Sequence, residues 1–399
     1  MRLIVVKRVK TSNLYYIGIP VLSILIGLAT SMLIFASIGV LPNMFIEGII
    51  SGFQSPQTLR YFALLVILGV ALTLCFRASI WNVGAEGQMI WGMLAGGYIA
   101  LFVAAQSMYV SPGELANYAS MPGVEVIDRS PYAPVVSVLL MDPLLGKLLM
   151  VLFGMLAGGL WALIPAVLKA YLDVDEVATT LILNYVAYQL FTHLVSYTLR
   201  GLSVQAKQFF RTDKVNSALL FDLIPGTSVT IQEIIMATIF FVVVILMYRY
   251  TTIGLRLKII GSNPQLLRSV GIDERKYILL AMFLSGMLAG AAGVSIFAVP
   301  GVGKLEKIAN VVSPPTMNLG YTAILVSWLS MLDIRLIPIY AYVVASLFQG
   351  SSILQSRINA LLPELSLTGA ALTYIPIGSI LIVYVVLRIL TDYSIKIRR

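Results

Sequence analysis

Residues 82–88 read Asn-Val-Gly-Ala-Glu-Gly-Gln, and they interrupt an almost wholly apolar run. Leu64–Phe76 precedes them and Met89–Ala105 follows. A carboxylate, Glu86, and two amides, Asn82 and Gln88, sit within one helical turn or two of each other. An ionised side chain at a bilayer centre costs roughly 2.5–3.5 kcal/mol on insertion scales. Gly84 and Gly87 loosen the helix at the same place. Broken backbone at membrane depth is tolerated only where protein or a water-filled cavity covers it. The chemistry on offer is therefore hydrogen bonding along a path for a polar solute, or the holding together of a broken helix. Both readings stand for Glu86.

A second polar strip begins at Asp173, Asp175 and Glu176. Acids at a helix start complement the macrodipole. Glu176, Thr180, Asn184 and Tyr188 then recur four apart, which keeps them on one slowly drifting face. A polar strip inside a span favours a wet or hydrogen-bonded interior. Solute path and plain helix–helix bonding are equal readings here.

Catalytic and energy-coupling signatures are missing. There is no Gly-x-x-x-x-Gly-Lys-Ser/Thr phosphate loop, and Gly146-Lys147 and Gly303-Lys304 lack its spacing and hydroxyl. There is no His-Glu-x-x-His and no nucleophile elbow. The single cysteine, Cys75, excludes an internal disulfide and a cysteine metal cage. One histidine, His193, speaks against a metal site or a serine triad, and a packing role suits it better. No cofactor and no enzymatic activity are expected. Buried acids for proton or sodium coupling are few, so energy for pumping would come from a partner. That weakens an ion-coupled secondary transporter and a lipid-modifying enzyme as rivals.

The elements that position these residues follow from composition. Of 399 residues, 59% are hydrophobic and 11% charged, against about 25% charged in soluble domains. This is an all-α polytopic membrane bundle in one transmembrane domain, residues 1–399. Spans need about 20 apolar residues. Candidates are 15–40, 60–76, 85–106, 145–169, 177–199, 232–249, 278–299, 319–332, 336–353 and 369–389. Tyr15–Val40 is too long for a signal-peptide core of about 7–15 residues and reads as a retained first helix. About ten spans put both termini on one side. Most of the 27 Lys and Arg then fall on the amino-terminal side, which makes that side cytoplasmic. The net charge of +9 is thus a topology signal beside membrane lipid, and no nucleic acid is implied. Arg200, Lys207, Arg211 and Lys214 resist the assignment, since they fall in an expected outer loop. Outer segments at 107–144 and 200–231 read as solvated loops or docking surfaces.

Gly-Met-Leu-Ala-Gly occurs at 92–96, 154–158 and 286–290. Each copy places two glycines four apart, the spacing that lets helices approach closely in lipid. That pattern is consistent with a tightly packed scaffold and an internally repeated fold. The segment 249–277 is expected to be a cytoplasmic loop. In it, Gly261 is expected to end one element, Asn263 is placed to cap a short helix, and Pro264 suits its first position. Gly271 follows, so a short helix is expected at 264–270. A helix that short is unstable alone in water. It needs lipid or a groove on a cytoplasmic subunit.

Three stretches carry a family resemblance. Phe76–Gln88 reads Phe-Arg-Ala-Ser-Ile-Trp-Asn-Val-Gly-Ala-Glu-Gly-Gln, and Asp175–Tyr185 reads Asp-Glu-Val-Ala-Thr-Thr-Leu-Ile-Leu-Asn-Tyr. Thr251–Ile272 follows the outline Thr-Thr-x-Gly…Gly-x-Asn-Pro…Gly-Ile. Together they resemble the permease subunits of ABC importers in the ribose and branched-chain amino-acid permease group. The likeness is greatest to nucleoside, or simple-sugar, importer permeases. Leu266 and Leu267 stand where the family often has Ala-Ala, and Ser313–Tyr321 keeps only part of the family's Ser-Pro-Gly-x-Gly-Phe. The resemblance implies a bacterial or archaeal plasma-membrane protein. It also implies a cytoplasmic ATP-binding subunit, a second permease subunit and an external substrate-binding lipoprotein. The implied solute is a nucleoside, with a monosaccharide or amino acid as alternatives. Asn82, Glu86, Gln88, Glu176, Thr180 and Asn184 would line or shape the path. Gly254, Gly261, Asn263, Pro264 and Gly271 would shape the helix coupled to the ATPase. Trp81 and Trp91 are candidate stacking rings, although rings at span ends also serve as interface anchors.

Overall fold

The computed structural model describes residues 2–7, 13–269, 271–308, 314–361 and 370–398. The order is β1 (Arg2–Lys7), α1 (Asn13–Ser37), α2 (Pro42–Gln54), α3 (Thr58–Phe76), α4 (Ala85–Tyr98), β2 (Ala105–Tyr109), α5 (Leu115–Ala119), β3 (Val124–Asp128) and β4 (Val135–Leu139). Next come α6 (Pro143–Leu172), α7 (Glu176–His193), α8 (Val204–Phe209), α9 (Ile231–Tyr250), α10 (Thr252–Ser262), α11 (Pro264–Ser269) and α12 (Glu274–Phe297). The chain continues through α13 (Leu319–Leu329), α14 (Ile337–Leu361), α15 (Tyr374–Asp392) and β5 (Tyr393–Arg398). The bundle is helical and polytopic. Each of the ten expected spans is largely helix, and among the described residues 6 stretches are long and apolar enough to cross a bilayer. Two shorter apolar helices cover Leu319–Leu329 and Tyr374–Ile389. α4 and α7 each run on into a π-helical turn, Ile99–Val103 and Leu194–Thr198.

Two elements depart from the expected pattern. α2 is an additional helix, started by Pro42 at its first turn. Residues 105–139 are not plain loop. They form a three-stranded antiparallel sheet in the order β2-β4-β3. The prolines at 112, 122, 131 and 134 lie outside these strands, where a missing N–H breaks no ladder. Close by in sequence, the Asp213 carboxylate accepts from the N–H groups of Leu202 at 2.8 Å and Ser203 at 3.0 Å. Glu306 pairs with Lys304 at 2.7 Å and Arg211 at 2.8 Å. Partial burial pushes the Glu306 carboxyl up, and the two cations outweigh it, so its pKa lies below the ordinary value.

The chain divides into two compact units, residues 1–62 with 325–399 and residues 63–324. In the first, β1 and β5 pair antiparallel, with Arg2 opposite Arg398 and Lys7 opposite Tyr393. α1 packs on α15, and α2 packs on α14. Small residues make this approach possible, since a Cβ on Gly48 would stand 2.9 Å from the Leu354 Cβ.

The second unit is built on the three glycine repeats. α12 packs chiefly on α6 and α4. A Cβ on Gly92 would strike the Gly290 carbonyl, one on Gly290 the Gly154 carbonyl, and one on Gly158 the Gly286 carbonyl. The three copies therefore meet one another, backbone against backbone, at one junction. In lipid no hydrophobic effect drives helices together, so such close van der Waals packing must. The α3 residues Ala63–Phe76 are all buried, as expected for a helix apolar on every side.

Candidate functional site

The 77–84 segment is the break between α3 and α4. Ser79 takes a left-handed φ of 55° and reverses the chain. Asn82 then folds back on the helix it precedes. Its Oδ1 accepts from Gly84 N and from Gln88 Nε2, both at 3.0 Å. Its Nδ2 donates to Gln88 Oε1 at 3.1 Å and to Ser285 Oγ on α12 at 3.0 Å. Both amides are essentially fully buried. A reciprocal amide pair satisfies four polar groups at once, which burial in an apolar medium demands.

Glu86 lies in the first turn of α4, fully buried. Its Oε1 accepts from the Thr316 hydroxyl, and its Oε2 accepts from Gly320 N at 2.8 Å. The Tyr188 side chain of α7 faces the same carboxylate. Gly320 is required by space, since a Cβ there would stand 2.6 Å from Glu86 N and 2.7 Å from Oε2.

Asn184 completes the cluster from α7. Its Oδ1 accepts from Gly87 N at 2.8 Å, and its Nδ2 donates to the Val83 carbonyl at 3.0 Å and Tyr321 Oη at 2.9 Å. Val83 and Gly87 belong to the broken entry of α4, so one side chain bridges the break. Thr180 turns its hydroxyl to the Glu176 carbonyl at 2.6 Å. Its Cβ would lie 3.1 Å from a Cβ on Gly84. Glu176 sits at the edge, paired with Lys169 at 3.2 Å and accepting from Trp81 N at 3.3 Å. All six residues read from the two polar strips thus come together around the start of α4.

Replacing Asn184 with alanine removes three hydrogen bonds and leaves the buried Gly87 N–H without its acceptor. An unmet buried donor costs about 1–3 kcal/mol. The expected result is a melting temperature in detergent several degrees below wild type, and an unchanged melt would contradict this bridging role.

The residues that sequence reasoning missed are Ser285, Thr316, Gly320 and Tyr321. The last three lie in the Pro314–Tyr321 stretch, whose partial match to a family pattern was the available signal. Ser285 had no signal beyond its place beside Gly286. Trp91 stacks on Trp161, with centroids 4.8 Å apart, and Trp81 tilts against Phe76 at 5.1 Å.

The five coupling candidates form a separate group. α11 spans Pro264–Ser269, and Val270 lies outside the described residues. Gly271 has φ +73°, the left-handed geometry that ends a helix. Asn263 lies between α10 and α11, and its carbonyl accepts from Leu266 N at 3.2 Å. Gly254 abuts Tyr248. Gly261 does not end an element, because α10 continues to Ser262. Its glycine is needed for close approach to the Arg77 carbonyl. Ser79 Oγ also donates to the Gly261 carbonyl at 3.0 Å. The end of α10 therefore touches the same 77–84 break that leads into α4.

Residues 56–386 match the family model for the permease component of branched-chain amino acid transport systems. The chain is 27% identical to the glucose ABC transporter permease protein TsgB13 of Haloferax volcanii, over 84% of this chain and 80% of that protein. It is 24% identical to the guanosine ABC transporter permease protein NupP of Bacillus subtilis, over 74% and 75%. It is 25% identical to the nucleoside ABC transporter permease protein NupB of Lactococcus lactis, over 69% of each. No solved structure matches. With a family match across most of its length and, among the described residues, six apolar helices able to cross a bilayer, the chain belongs to the branched-chain amino acid transport system permease family, as a multi-pass plasma-membrane transport component of an ABC transporter.

Proposed function

We propose that the chain is the permease subunit of an ATP-driven importer and forms the path of a nucleoside. Similarity to permeases named for guanosine and for nucleosides carries the choice of solute. A monosaccharide is the second reading, favoured by the glucose permease relative. The partners are a cytoplasmic ATPase, a second permease subunit and an external binding lipoprotein. Residues 1–399 form one permease domain with about ten crossings and cytoplasmic termini. The pairing of β1 with β5 supports an even number, because paired strands share one side of a membrane. Segments 107–144 and 200–231 then face outward, and 249–277 faces the cytoplasm.

Asn82, Glu86, Gln88, Thr180 and Asn184, with Glu176 at the edge, hold the broken start of α4 beside the path. Their mutual hydrogen bonds support a holding role over direct solute contact. Gly254, Gly261, Asn263, Pro264 and Gly271 shape the segment that receives ATPase motion. The Ser79–Gly261 contact passes that motion to α4.

Two measurements test the proposal. Cells producing the whole transporter should accumulate labelled guanosine in competition with other nucleosides and not with glucose. Glucose uptake alone would replace the nucleoside by the second reading. Gly271→Val strains a left-handed position, whereas Gly271→Asn fits it. The valine variant should lose about fivefold or more of uptake, the scale of a typical coupling energy. ATP hydrolysis by the assembled complex should persist, and the asparagine variant should transport normally. Equal uptake by both variants would remove Gly271 from the coupling element.

A further inference from the structure

α7 carries a second set of polar groups, away from Glu86. Tyr185, Gln189, His193 and Tyr197 recur every four residues, and all are exposed. That spacing makes one stripe along the helix. Gln189 lies about 20 Å along α7 from Glu176, within the depth of a bilayer's apolar core of about 30 Å. Polar groups at such depth face a water-filled cavity or another protein surface rather than lipid.

The outer half of the stripe faces a cleft of about 390 Å³. Gln189, Thr192, His193, Ser196 and Tyr197 line one wall, and Phe210 and Lys307 the other. The volume falls in the lower part of the roughly 300–1,000 Å³ range of small-molecule sites. The Thr192 hydroxyl accepts from Ile308 N at 3.2 Å, which leaves its own proton to donate. The π-helical turn at Leu194–Thr198 sets Ser196 and Tyr197, and such turns often mark functional sites.

Phe210 gives an independent sign. It caps α8 with φ 52°, a left-handed geometry that glycine takes freely and a bulky residue holds only under constraint. Its ring lies 4.4 Å from the Arg200 guanidinium carbon and 4.8 Å from the Lys307 ammonium. Residues 211 and 306 form a β-bridge, closed by the Arg211–Glu306 ion pair, which sets Phe210 and Lys307 side by side. A strained aromatic is thus fixed in the wall facing the polar stripe.

We propose that this cleft binds a neutral nucleoside, its base stacked on the Phe210 ring and its base edge and ribose hydroxyls bonded by Gln189, Thr192 and Ser196. The assignment rests on the permease reading above, and in that topology the cleft opens at the outer end of α7. The Phe210 ring offers a stacking partner to a flat heterocyclic base. Among the described residues the lining holds no carboxylate, so an amino acid's ammonium finds no counter-charge.

The test uses the assembled transporter in detergent, an azido-purine nucleoside as photolabel, and peptide mapping. Label should enter the 189–210 region and be displaced by guanosine but not by glucose. Phe210→Gly relieves the backbone while removing the ring, and Gln189→Ala removes the amide. Each should cut labelling about fivefold or more, the scale of one lost stacking partner, with an unchanged melting temperature. Label confined to other segments, with guanosine uptake intact, overturns the cleft and leaves the permease reading standing. Wild-type labelling of both variants overturns it as well. Loss of guanosine uptake in the wild-type transporter, with glucose transported instead, overturns the solute itself.

Discussion

Gly290→Leu is expected to abolish recovery of folded protein from the membrane. The added Cβ would occupy the place of the Gly154 carbonyl, and Gly158 lies just beyond it. Overpacking a core costs typically about 1–3 kcal/mol when neighbouring side chains can shift. Here the neighbours are backbone atoms of the facing helix α6, so relief requires α6 and α12 to separate along the contact. Separation also breaks the junction with Gly92 on α4. The cost should exceed about 3 kcal/mol, a large share of the usual 5–15 kcal/mol of stability. Gly378→Ala on α15 is the control, since nothing lies within 4 Å of its added Cβ. It should melt at or above wild type, because alanine favours a helix over glycine by about 1 kcal/mol. A monodisperse Gly290→Leu protein with a wild-type melt would show that the three repeats do not hold the unit together.

Glu86→Ala should eliminate uptake and lower the melt, even though no solute contact is assigned to Glu86. The Glu86 carboxyl accepts from Thr316 and from Gly320 N, and each buried donor left unmet costs about 1–3 kcal/mol. Removing it leaves two donors unmet beside a helix start. Glu86→Gln keeps one oxygen for Gly320 and should retain partial function. Gly320→Ala attacks the same contact from the other partner and should resemble Glu86→Ala, since its methyl would enter the carboxylate's space. Uptake and melting of the three variants, measured together, decide the matter. A Glu86→Ala protein with normal stability and no transport would return Glu86 to the solute path. One that keeps both would discard the clamp.

Much of this arrangement was legible in the residues. The ten apolar stretches are helices because each is strongly apolar, and their prolines either fall in a first turn, as Pro338 and Pro376 do, or are accommodated within a helix, as Pro20 and Pro165 are. The glycine spacing at 92, 154 and 286 announced close packing, but not that the three copies pack on each other. Such a meeting depends on which helices become neighbours, and a local repeat carries no partner. The same limit hid Thr316 and Gly320, which reach Glu86 across more than two hundred residues. The sheet at 105–139 was hidden differently. Its strands are five residues each, and the prolines between them read as loop. Gly261 was misread as a terminator because a glycine tolerated inside a helix for close approach looks the same as one ending it.

The pairing of α1 with α15 and of α2 with α14 sets an order on synthesis. Residues 63–324 find their partners among themselves as they emerge. α1 and α2 touch each other through Phe35 and Phe45, but both enter the bilayer long before α14 and α15 exist. At about 5–20 residues per second, roughly 15–60 s separates α2 from the helix that covers it. During that interval Gly48 and Gly52 present a bare, closely packable face to every other helix in the membrane. Insertion machinery that shelters this face would then be as much a condition of assembly as the contacts themselves.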